Sequence, residues 1–354
     1  MIYVKFLISP PIRMGSQLTG AAKRTLDFYS LFEEAERILL VDEASFKTRD
    51  DKLDDTLKHF KVIHSYSGKN PFLQLTGFLK SLFVSSRVDF ILCYSEYYYS
   101  VIYSYFLAKL TRRPLIVTWH HGETEHYFSS GPRLFKKAMK SAHAIMVISD
   151  QAVEPLKFIC TKSIIQKVSP GIDLMKYHSS SEKNYDAVFA GVNSERKGVN
   201  FIDSLWNAVN SEVPNARLCV IGNGFQGSVK YFENQNIEVL GFVEENNKMA
   251  VLSQSKVLIS LSTDEGFPAV IMEAMASHLP VVTWDLPWSS PVDGVGIRVR
   301  YPDLEEFAIN VVEIIKNNAK RQTLADKSYE FVGEKFSIDK AAVEEFELLK
   351  SLFE

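Results

Sequence analysis

Short apolar runs of strand length alternate with helix-like segments along nearly the whole chain, and no other feature constrains the fold as strongly. In the first half the predicted strands are Ile2–Ile8, Arg37–Asp42, Lys61–Ser65, Val88–Tyr94, Leu115–Trp119, Ala144–Ile148 and Ile164–Val168. In the second half they are Asp186–Ala190, Arg217–Ile221, Ile237–Leu240, Val257–Leu261 and Val281–Trp284. Near-continuous apolar strands separated by helices are typical of parallel sheets that are covered on both faces. The pattern therefore predicts an α/β protein.

The chain is too long for one ordinary hydrophobic core, since it has 354 residues, so two domains are expected. A turn at Ser169-Pro170-Gly171 separates the two sets of strands. We therefore predict a first domain over residues 1–169 and a second over residues 170–336. The remaining residues, 337–354, form an amphipathic segment with apolar side chains at helical spacing: Ala342, Phe346, Leu349 and Phe353.

Charge and composition argue against several classes of protein. A formal net charge of −3 gives no reason to expect a nucleic-acid partner. No apolar run approaches the length of about 18 residues that a membrane span requires, and no signal peptide opens the sequence. Cys93, Cys160 and Cys219 are far apart in apolar surroundings, which favours buried thiols over a disulfide framework or a metal knuckle. A cytoplasmic protein is therefore expected.

The stretch from Ser262 to Trp284 has the features of an anion-binding site. The acidic turn at Glu265 runs into Pro268, and a helix is predicted over Pro268–Ser277 because proline is tolerated in a first helical turn. The free N–H groups of a helix N-terminus suit a phosphate. Glu273, eight residues after Glu265, lies in the second turn, so two carboxylates flank this helix end. A ligand with phosphates and hydroxyls, such as a sugar nucleotide, fits this arrangement.

Other candidate residues lie in the first half, where the residues alone leave alternatives open. Gly15 and Gly20 follow the first strand and precede a helix, which fits either a ligand loop or a plain strand–helix connection, since the spacing is not GxGxxG. His120 follows a predicted strand. A histidine at such a position either contacts a ligand or has only a structural role. Several histidines and glutamates cluster here, but their spacing matches no standard metal site: His120, His121, Glu123, Glu125 and His126.

Five motifs occur in the second half in a fixed order. They are Pro170-Gly171-Ile172-Asp173; Val188–Gly191 with Arg196-Lys197-Gly198; Val220–Gly224; Leu240–Val243; and Glu265–Pro268 with Glu273–Ala276 and Pro280–Val282. In this order they resemble a retaining glycosyltransferase of family four, which has the GT-B fold. The resemblance implies two Rossmann-like doubly wound domains that face a central cleft. It further implies an acceptor-binding first domain, a nucleotide-sugar-binding second domain, and a last helix that packs back on the first.

The resemblance also implies roles for individual residues. Glu265 and Glu273 match an E-x7-E pair, of which the first lies close to the donor sugar and the second holds the ribose hydroxyls. Lys197 matches a lysine that contacts the donor diphosphate, and His120 a histidine beside the sugar. The implied catalytic residues are thus His120, Glu265 and Lys197. The implied donor-binding residues are Gly20, Arg196, Gly241, Phe242, Val243, Phe267, Pro268, Ala269, Val270 and Glu273, with the backbone N–H groups of Ala269 and Val270 on the phosphates.

Three positions depart from the family pattern. Val192 stands where the family usually has an arginine, so a phosphate contact is missing or Arg196 supplies it. His278 replaces a glycine at the predicted helix C-terminus, where a left-handed backbone is common; we interpret it as structural. The segment Asp285–Ser289 replaces a glycine-rich turn that borders the donor sugar.

The implied function is transfer of a hexosyl group from a UDP- or GDP-sugar to a hydroxyl of a glycan, a lipid-linked acceptor or another glycoconjugate, with retention and without a bound metal. The alternative, favoured by Val192, is a nucleotide-sugar-binding protein with little or no turnover. A nucleotide-sugar epimerase is disfavoured by the E-x7-E pair, and an NAD-type dehydrogenase by the absence of a clean GxGxxG.

Two segments raise the question of membrane contact. Pro71–Val84 is rich in phenylalanine and leucine, and Pro132–Lys140 is rich in lysine and arginine. Some enzymes of the resembled class dock on membranes through such surfaces. Core packing for the first segment and an ordinary solvated face for the second are the simpler interpretations. Peripheral contact with the cytoplasmic membrane is thus the alternative to a purely cytoplasmic protein.

Overall fold

The chain forms two compact units in the computed structural model, which describes residues 4–14, 20–47, 53–65, 70–122, 124–225 and 231–353. The first unit comprises Met1–Gly171 together with Ile338–Glu354, and the second comprises Ile172–Ser337. Each unit is built on one parallel sheet with helices on its faces.

The first unit contains a seven-stranded parallel sheet in the order β3-β2-β1-β4-β5-β6-β7. Its strands are β1 (Val4–Ile12), β2 (Ala35–Asp42), β3 (Lys61–Ser65), β4 (Phe90–Ser95), β5 (Leu115–Trp119), β6 (Ala144–Val147) and β7 (Ile164–Lys167). The helices between them are α1 (Gly20–Tyr29), α2 (Glu43–Phe46), α3 (Asp54–Leu57), α4 (Pro71–Ser85), α5 (Tyr98–Thr111), α6 (Thr124–Ser130), α7 (Arg133–Lys140) and α8 (Asp150–Ile159). Strands β4, β5 and β6 are buried along their whole length, which explains their uninterrupted apolar sequences.

The second unit contains a six-stranded parallel sheet in the order β10-β9-β8-β11-β12-β13. Its strands are β8 (Ala187–Ala190), β9 (Leu218–Ile221), β10 (Ile237–Gly241), β11 (Leu258–Ser260), β12 (Val281–Asp285) and β13 (Ile297–Arg300). Its helices are α9 (Ile202–Glu212), α10 (Glu245–Ser253), α11 (Ala269–Ala276), α12 (Leu304–Lys316) and α13 (Asn318–Phe336). Short 3₁₀ turns lie at Leu174–Lys176, Glu195–Lys197, Val199–Phe201 and Pro287–Val292.

The predicted α/β class with two doubly wound sheets is confirmed. In each sheet the order reverses between two neighbouring strands, at β1/β4 and at β8/β11. Ligands of open parallel sheets bind outside the carboxyl ends of the strands at such a reversal. The loops after β8 and β11 therefore occupy the position where this fold places a ligand.

Some predicted boundaries were wrong for physical reasons. Strand β1 continues through Pro10 and Pro11 to Ile12, with a register irregularity after Ile8, because a strand accommodates proline where no ladder hydrogen bond is required. Strand β13 was not predicted, since it is short and lacks a long apolar run.

All three cysteines are buried and free, as expected. None of the described helices combines the length and the apolar character needed to cross a bilayer.

The last helix, α14 (Ile338–Ser351), belongs to the first unit and carries a buried carboxylate against α1. Glu345 accepts a hydrogen bond from the Tyr29 hydroxyl and lies 3.1 Å from Nη2 of Arg24. Arg24 also donates to the carbonyl oxygens of Ser169 and Pro170, at 3.0 and 3.1 Å. Burial raises the pKa of Glu345, and Arg24 and Tyr29 counteract this in part. A buried ion pair thus joins both ends of the first unit.

We expect Glu345→Ala to lower the free energy of unfolding by about 3 kcal/mol, because it leaves the Arg24 charge buried without its carboxylate. Glu345→Gln keeps an acceptor for the Tyr29 hydroxyl, so it should lower the free energy of unfolding by less. Urea unfolding followed by circular dichroism measures both. Glu344→Ala, at the neighbouring exposed position, is the control and should change stability by less than about 0.5 kcal/mol. If Glu345→Ala is no more destabilising than this control, the ion pair does not stabilise the unit.

Candidate functional site

At the reversal point of the second sheet, the backbones of neighbouring loops are in direct contact. Strand β8 pairs with β11 through Leu258 and Val188, so the loops that follow these strands begin side by side. Gly222, after β9, has φ 144°, and a Cβ there would lie 1.8 Å from the carbonyl oxygen of Gly191. Only glycine fits such an approach. This packing brings the loop after β8 close to the sheet edge.

Glu265 is a buried carboxylate at this edge with several polar contacts. It is 8% exposed and accepts a hydrogen bond of 2.7 Å from the Ser262 hydroxyl. The Lys197 ammonium contacts the same carboxylate oxygen, and Nη1 of Arg196 lies 3.4 Å from the other. Arg196 also donates to the carbonyl oxygen of Asp264 at 2.7 Å. The structure thus brings together three sequence-predicted residues, Glu265, Lys197 and Arg196, as one carboxylate between two cations.

Gly198 explains why the two cations reach Glu265. Its φ is +75°, and a Cβ there would lie 2.1 Å from the carbonyl oxygen of Leu261. The turn Glu195–Lys197 therefore sits directly against the end of β11, and the N–H of Thr263 donates to the carbonyl oxygen of Arg196 at 2.9 Å. A larger residue than glycine would push the turn, and with it Lys197, away from Glu265.

The second carboxylate of the pair, Glu273, is held by a cation that the sequence did not reveal. Helix α11 spans Ala269–Ala276 behind Pro268, which confirms the predicted helix within one residue at each end. Lys248 of α10 lies 2.8 Å from Glu273 and 3.3 Å from Glu245. Burial lowers the pKa of Lys248, but the two carboxylates outweigh it and raise the pKa overall. Lys248 was missed because its pairing depends on the packing of α10 against α11.

The remaining predicted donor-binding residues surround the same helix and the end of β10. The N–H of Ala269 donates to the carbonyl oxygen of Phe267 at 2.9 Å. The Phe267 ring packs 5.8 Å from that of Phe336. Gly241 ends β10 and accepts a hydrogen bond of 2.8 Å from the N–H of Gly222, while the next side chain, Phe242, is exposed. The predicted donor contacts of Val243, Ala269 and Val270 stay predictions.

Two of the departures from the family pattern have a clear structure. His278 has φ 52°, as expected for a residue in place of glycine, and its ring stacks 3.9 Å from that of Tyr329. After β12, the 3₁₀ helix Pro287–Val292 stands where the family has a glycine-rich turn. The Ser289 hydroxyl in this helix donates to the carbonyl oxygen of Trp284 at 2.7 Å. Val192 is exposed and Arg196 is the neighbouring guanidinium of that loop.

In the first unit, His120 lies just beyond β5 with its Nε2 3.1 Å from the hydroxyl of Thr118. Desolvation lowers its pKa well below the usual value, and the charges of Arg24 and His121 lower it further. Nη1 of Arg24 is buried and has no hydrogen-bond partner among the described residues. His120 is therefore a neutral imidazole at neutral pH. Gly20 begins α1, whereas Gly15 lies outside the described residues.

The histidine and glutamate cluster around His120 does not assemble into a metal site in the part of the chain that the structure describes, which excludes Glu123. Nε2 of His121 lies 2.9 Å from the carbonyl oxygen of Ser95, and its ring packs 4.0 Å from Tyr127. His126 is exposed on α6.

A cavity of about 430 Å³ lies at the carboxyl ends of β2 and β3 in the first unit. Its lining is more apolar than polar, and it carries both signs of charge, with Glu43, Lys47 and Lys80 among the lining residues.

Comparison with known proteins places this geometry in context. Residues 184–317, wholly within the second unit, match the family model of glycosyl transferases group 1. The segment matched contains Lys197, Glu265 and Glu273.

Two curated relatives are similar over part of their length. The poly(glycerol-phosphate) alpha-glucosyltransferase of Bacillus subtilis is 23% identical over 231 residues, which are 62% of this chain and 34% of that protein. The capsular polysaccharide biosynthesis glycosyltransferase CapM of Staphylococcus aureus is 25% identical over 170 residues, which are 46% of this chain and 45% of that protein. The chain thus spans about a third to a half of these two relatives.

Among solved structures, Anabaena HepE in complex with UDP and glucose superposes with a TM-score of 0.78 at 18% identity, over 98% of this chain and 100% of that one. This likeness and the two parallel sheets confirm the predicted GT-B fold class.

The pKa of His120 predicts a loss of stability in acid. The unfolded chain protonates a histidine near pH 6.5, whereas the folded state resists protonation, so this contribution is complete above about pH 6.5 and is lost as the pH falls toward the lower folded pKa. The melting temperature of His120→Asn should therefore fall less between about pH 7.5 and about pH 5.5 than that of the wild type. Differential scanning fluorimetry measures this, with the exposed His126→Asn as the control. An unchanged acid sensitivity in His120→Asn would rule out a buried neutral His120.

Proposed function

We propose that this protein transfers a hexosyl group from a nucleotide diphosphate sugar to an acceptor hydroxyl, with retention of configuration. The observation that carries the proposal is the Glu265–Lys197–Arg196 cluster at the reversal point of a sheet within the matched group 1 segment. Two cations and a carboxylate at one point suit a ligand in which a diphosphate adjoins sugar hydroxyls.

Each residue of the cluster, and also Glu273 and His120, has a separate part in the proposed reaction. Lys197 has three N–H donors and, among the described residues, gives one to Glu265, which leaves two for a diphosphate. Its charge, with that of Arg196, would offset the negative charge that grows on the diphosphate as it departs. Glu265, an acceptor-only carboxylate, would take hydrogen bonds from the donor sugar, and Glu273 from the ribose hydroxyls. A neutral His120 would hydrogen-bond the sugar without adding repulsive charge.

The proposed chemistry is a displacement on one face of the sugar. The bond between the anomeric carbon and the diphosphate oxygen breaks, and a bond from the acceptor oxygen to the same carbon forms. The acceptor's proton moves to the departing diphosphate oxygen. No side chain of the site is assigned as a covalent nucleophile, and no metal is required for this balance.

The proposed donor is a UDP-sugar, and the proposed acceptor is a glycan or glycoconjugate. Support for UDP comes from the fold likeness to HepE, which was crystallised with UDP and glucose. Support for the acceptor class comes from the names of the relatives, which concern poly(glycerol phosphate) and capsular polysaccharide. We propose that the second unit holds the donor and that the first unit holds the acceptor.

A panel of UDP, GDP and ADP sugars in a thermal-shift assay tests the donor. We expect a UDP-sugar to raise the melting temperature by several degrees, because a ligand at about 100 times its Kd stabilises the folded state by about 2.7 kcal/mol. The control is free uridine, which lacks the diphosphate that Lys197 and Arg196 would bind. A shift with uridine equal to that with UDP would contradict the role of the two cations.

Turnover is tested by the release of nucleoside diphosphate, since water can replace an unidentified acceptor. We expect Glu265→Gln to lower the release rate by about a hundredfold or more, because it removes a charged acceptor at the reacting sugar. Glu195→Gln, at an exposed position of the turn that carries Arg196 and Lys197, is the matched control and should retain the wild-type rate. Full turnover in Glu265→Gln would refute the assigned site.

The second candidate is a protein that binds a nucleotide sugar without turnover, and Val192 in place of the usual arginine favours it. The two assays separate the candidates. A melting shift with UDP-sugar but no release of UDP, in the wild type and in a Val192→Arg variant alike, would favour the binding protein.

A further inference from the structure

Two tyrosines at the carboxyl end of β4 present their rings to solvent. Tyr97 and Tyr99 are 55 and 45% exposed, their ring centres lie 5.9 Å apart, and their ring planes differ by 12°. The side chain between them, Tyr98, packs instead against the rings of Tyr127 and Phe135. Two nearly parallel exposed rings thus lie together at the start of α5, and we call them the tyrosine platform.

The tyrosine platform lies at the reversal point of the first sheet, where the strand order reverses between β1 and β4. An open parallel sheet binds its ligand at this position, outside the carboxyl ends of its strands. Charged groups lie close to the platform. The charge of Glu96 raises the pKa of Tyr97, and the charge of Arg13, which follows β1, lowers it. A ligand on the platform therefore finds both an acceptor and a donor of hydrogen bonds beside it.

The cavity at the carboxyl ends of β2 and β3 lies at the same edge of the sheet. Strand β1 separates β2 from β4, so the ends of β2 and β4 are two strand spacings apart, or about 10 Å. The N–H of Met14, just after β1, donates to the Ser45 hydroxyl of α2 at 2.9 Å. Burial raises the pKa of Tyr99, the charge of Arg13 lowers it, and that of Asp42, at the end of β2, raises it. The platform and the cavity wall are therefore neighbours.

The cavity suits the anionic part of a larger ligand. Lys47 lines it from the end of α2 and Lys80 from α4, and neither ammonium makes an ion pair within the described part of the chain. Glu43 is the carboxylate of the lining, and the walls are otherwise mostly apolar, with Leu73 among them. A volume of about 430 Å³ lies in the range of small-molecule sites. Two cations between apolar walls favour a negative group carried on a carbon skeleton.

We propose that the tyrosine platform and the cavity together bind the acceptor, and that this acceptor is an anionic oligosaccharide. Its role as an acceptor rests on the proposed transferase function. A sugar ring on the platform places its C–H groups against the negative faces of the aromatic rings. A phosphate or carboxylate further along the same ligand lies between Lys47 and Lys80. Because the two parts are about 10 Å apart, the ligand contains more than one sugar ring.

The carboxylates of this edge argue against a nucleic acid, whose bases would also stack on tyrosines. A nucleic acid carries a negative charge at every unit. Glu96 beside the platform and Glu43 in the cavity would repel such a dense row of charges. An oligosaccharide with isolated charges keeps its neutral hydroxyls beside Glu96 and its anionic group beside the lysines.

An array of oligosaccharides, printed in matched neutral, uronate-bearing and phosphate-bearing sets, tests the proposal with the full chain. We expect the wild type to bind both anionic sets about tenfold or more tightly than the neutral set, because each lysine adds a charge-assisted hydrogen bond. Lys47→Gln/Lys80→Gln should remove this preference and keep the binding of the neutral set. Tyr97→Ala/Tyr99→Ala should weaken binding to all three sets by about tenfold or more, through lost ring contact.

Matched controls come from exposed positions near the amino ends of β6 and β7, at the opposite edge of the same sheet. Phe158→Ala removes an exposed ring from the end of α8, and Lys137→Gln/Lys140→Gln removes two charges from the end of α7. Both should bind the array like the wild type. Tyr97→Phe/Tyr99→Phe keeps both rings and should retain most of the binding. Circular dichroism spectra and melting curves check that every variant folds.

Three results would overturn the proposal. The first is a wild type that binds none of the three sets, or binds neutral and anionic sets equally. The second is wild-type binding by Tyr97→Ala/Tyr99→Ala. The third is an undiminished preference for anionic sets in Lys47→Gln/Lys80→Gln. If one anionic set alone is preferred, its phosphate or its carboxylate is the group that the cavity holds.

The thermal-shift panel of nucleotide sugars keeps this proposal separate from the proposed function. Tyr97→Ala/Tyr99→Ala should show the wild-type melting shift with a UDP-sugar, because the cluster proposed for the donor lies in the second unit. Array binding by a wild type that no nucleotide sugar stabilises would support the oligosaccharide site and count against the transferase. A melting shift without array binding would do the reverse.

Discussion

The close backbone packing at the end of strands β8, β9 and β11 is the constraint on which the candidate site depends. Gly222 meets the backbone of Gly191, and Gly198 meets that of Leu261, at distances that no Cβ allows. These contacts bring the loop after β8 onto the sheet edge. Because of them a lysine and an arginine that are distant in sequence from Glu265 lie against its carboxylate. The charges at the site are thus a consequence of where glycine permits the backbone to go.

Three carboxylates that the described part of the chain withdraws from water have cationic partners. Glu265 and Glu273 each have a lysine, and Glu345 has Arg24 and the Tyr29 hydroxyl. Their consequences differ. Glu345 joins the last helix to the first and serves the stability of its unit. Among the described residues, the cations at Glu265 have N–H donors beyond those given to Glu265 and Asp264, so the same kind of pair is available there for an anionic ligand.

Electrostatics also distinguishes one surface from the rest of the molecule. The cations of α4, α5 and α7 are spread over residues 80–140, and each helix read alone resembles an ordinary solvated element or a core element. The packing of these helices on one sheet brings the charges together, beside an exposed apolar stripe of α4, formed by Phe72, Leu75, Leu79 and Phe83. An overall net charge near zero conceals such an asymmetry, because the balancing acids lie elsewhere in the chain.

The sequence by itself determined the fold class, because buried parallel strands require uninterrupted apolar runs and the helices between them require their own periodicity. It also determined the helix behind Pro268 and its two carboxylates, since these depend on neighbours along the chain. Only the tertiary structure decided that Lys248 holds Glu273, that Arg196 and Lys197 share Glu265, and that the α4 stripe faces outward. Each of these depends on which side of one element packs against another, and a local pattern does not contain that information.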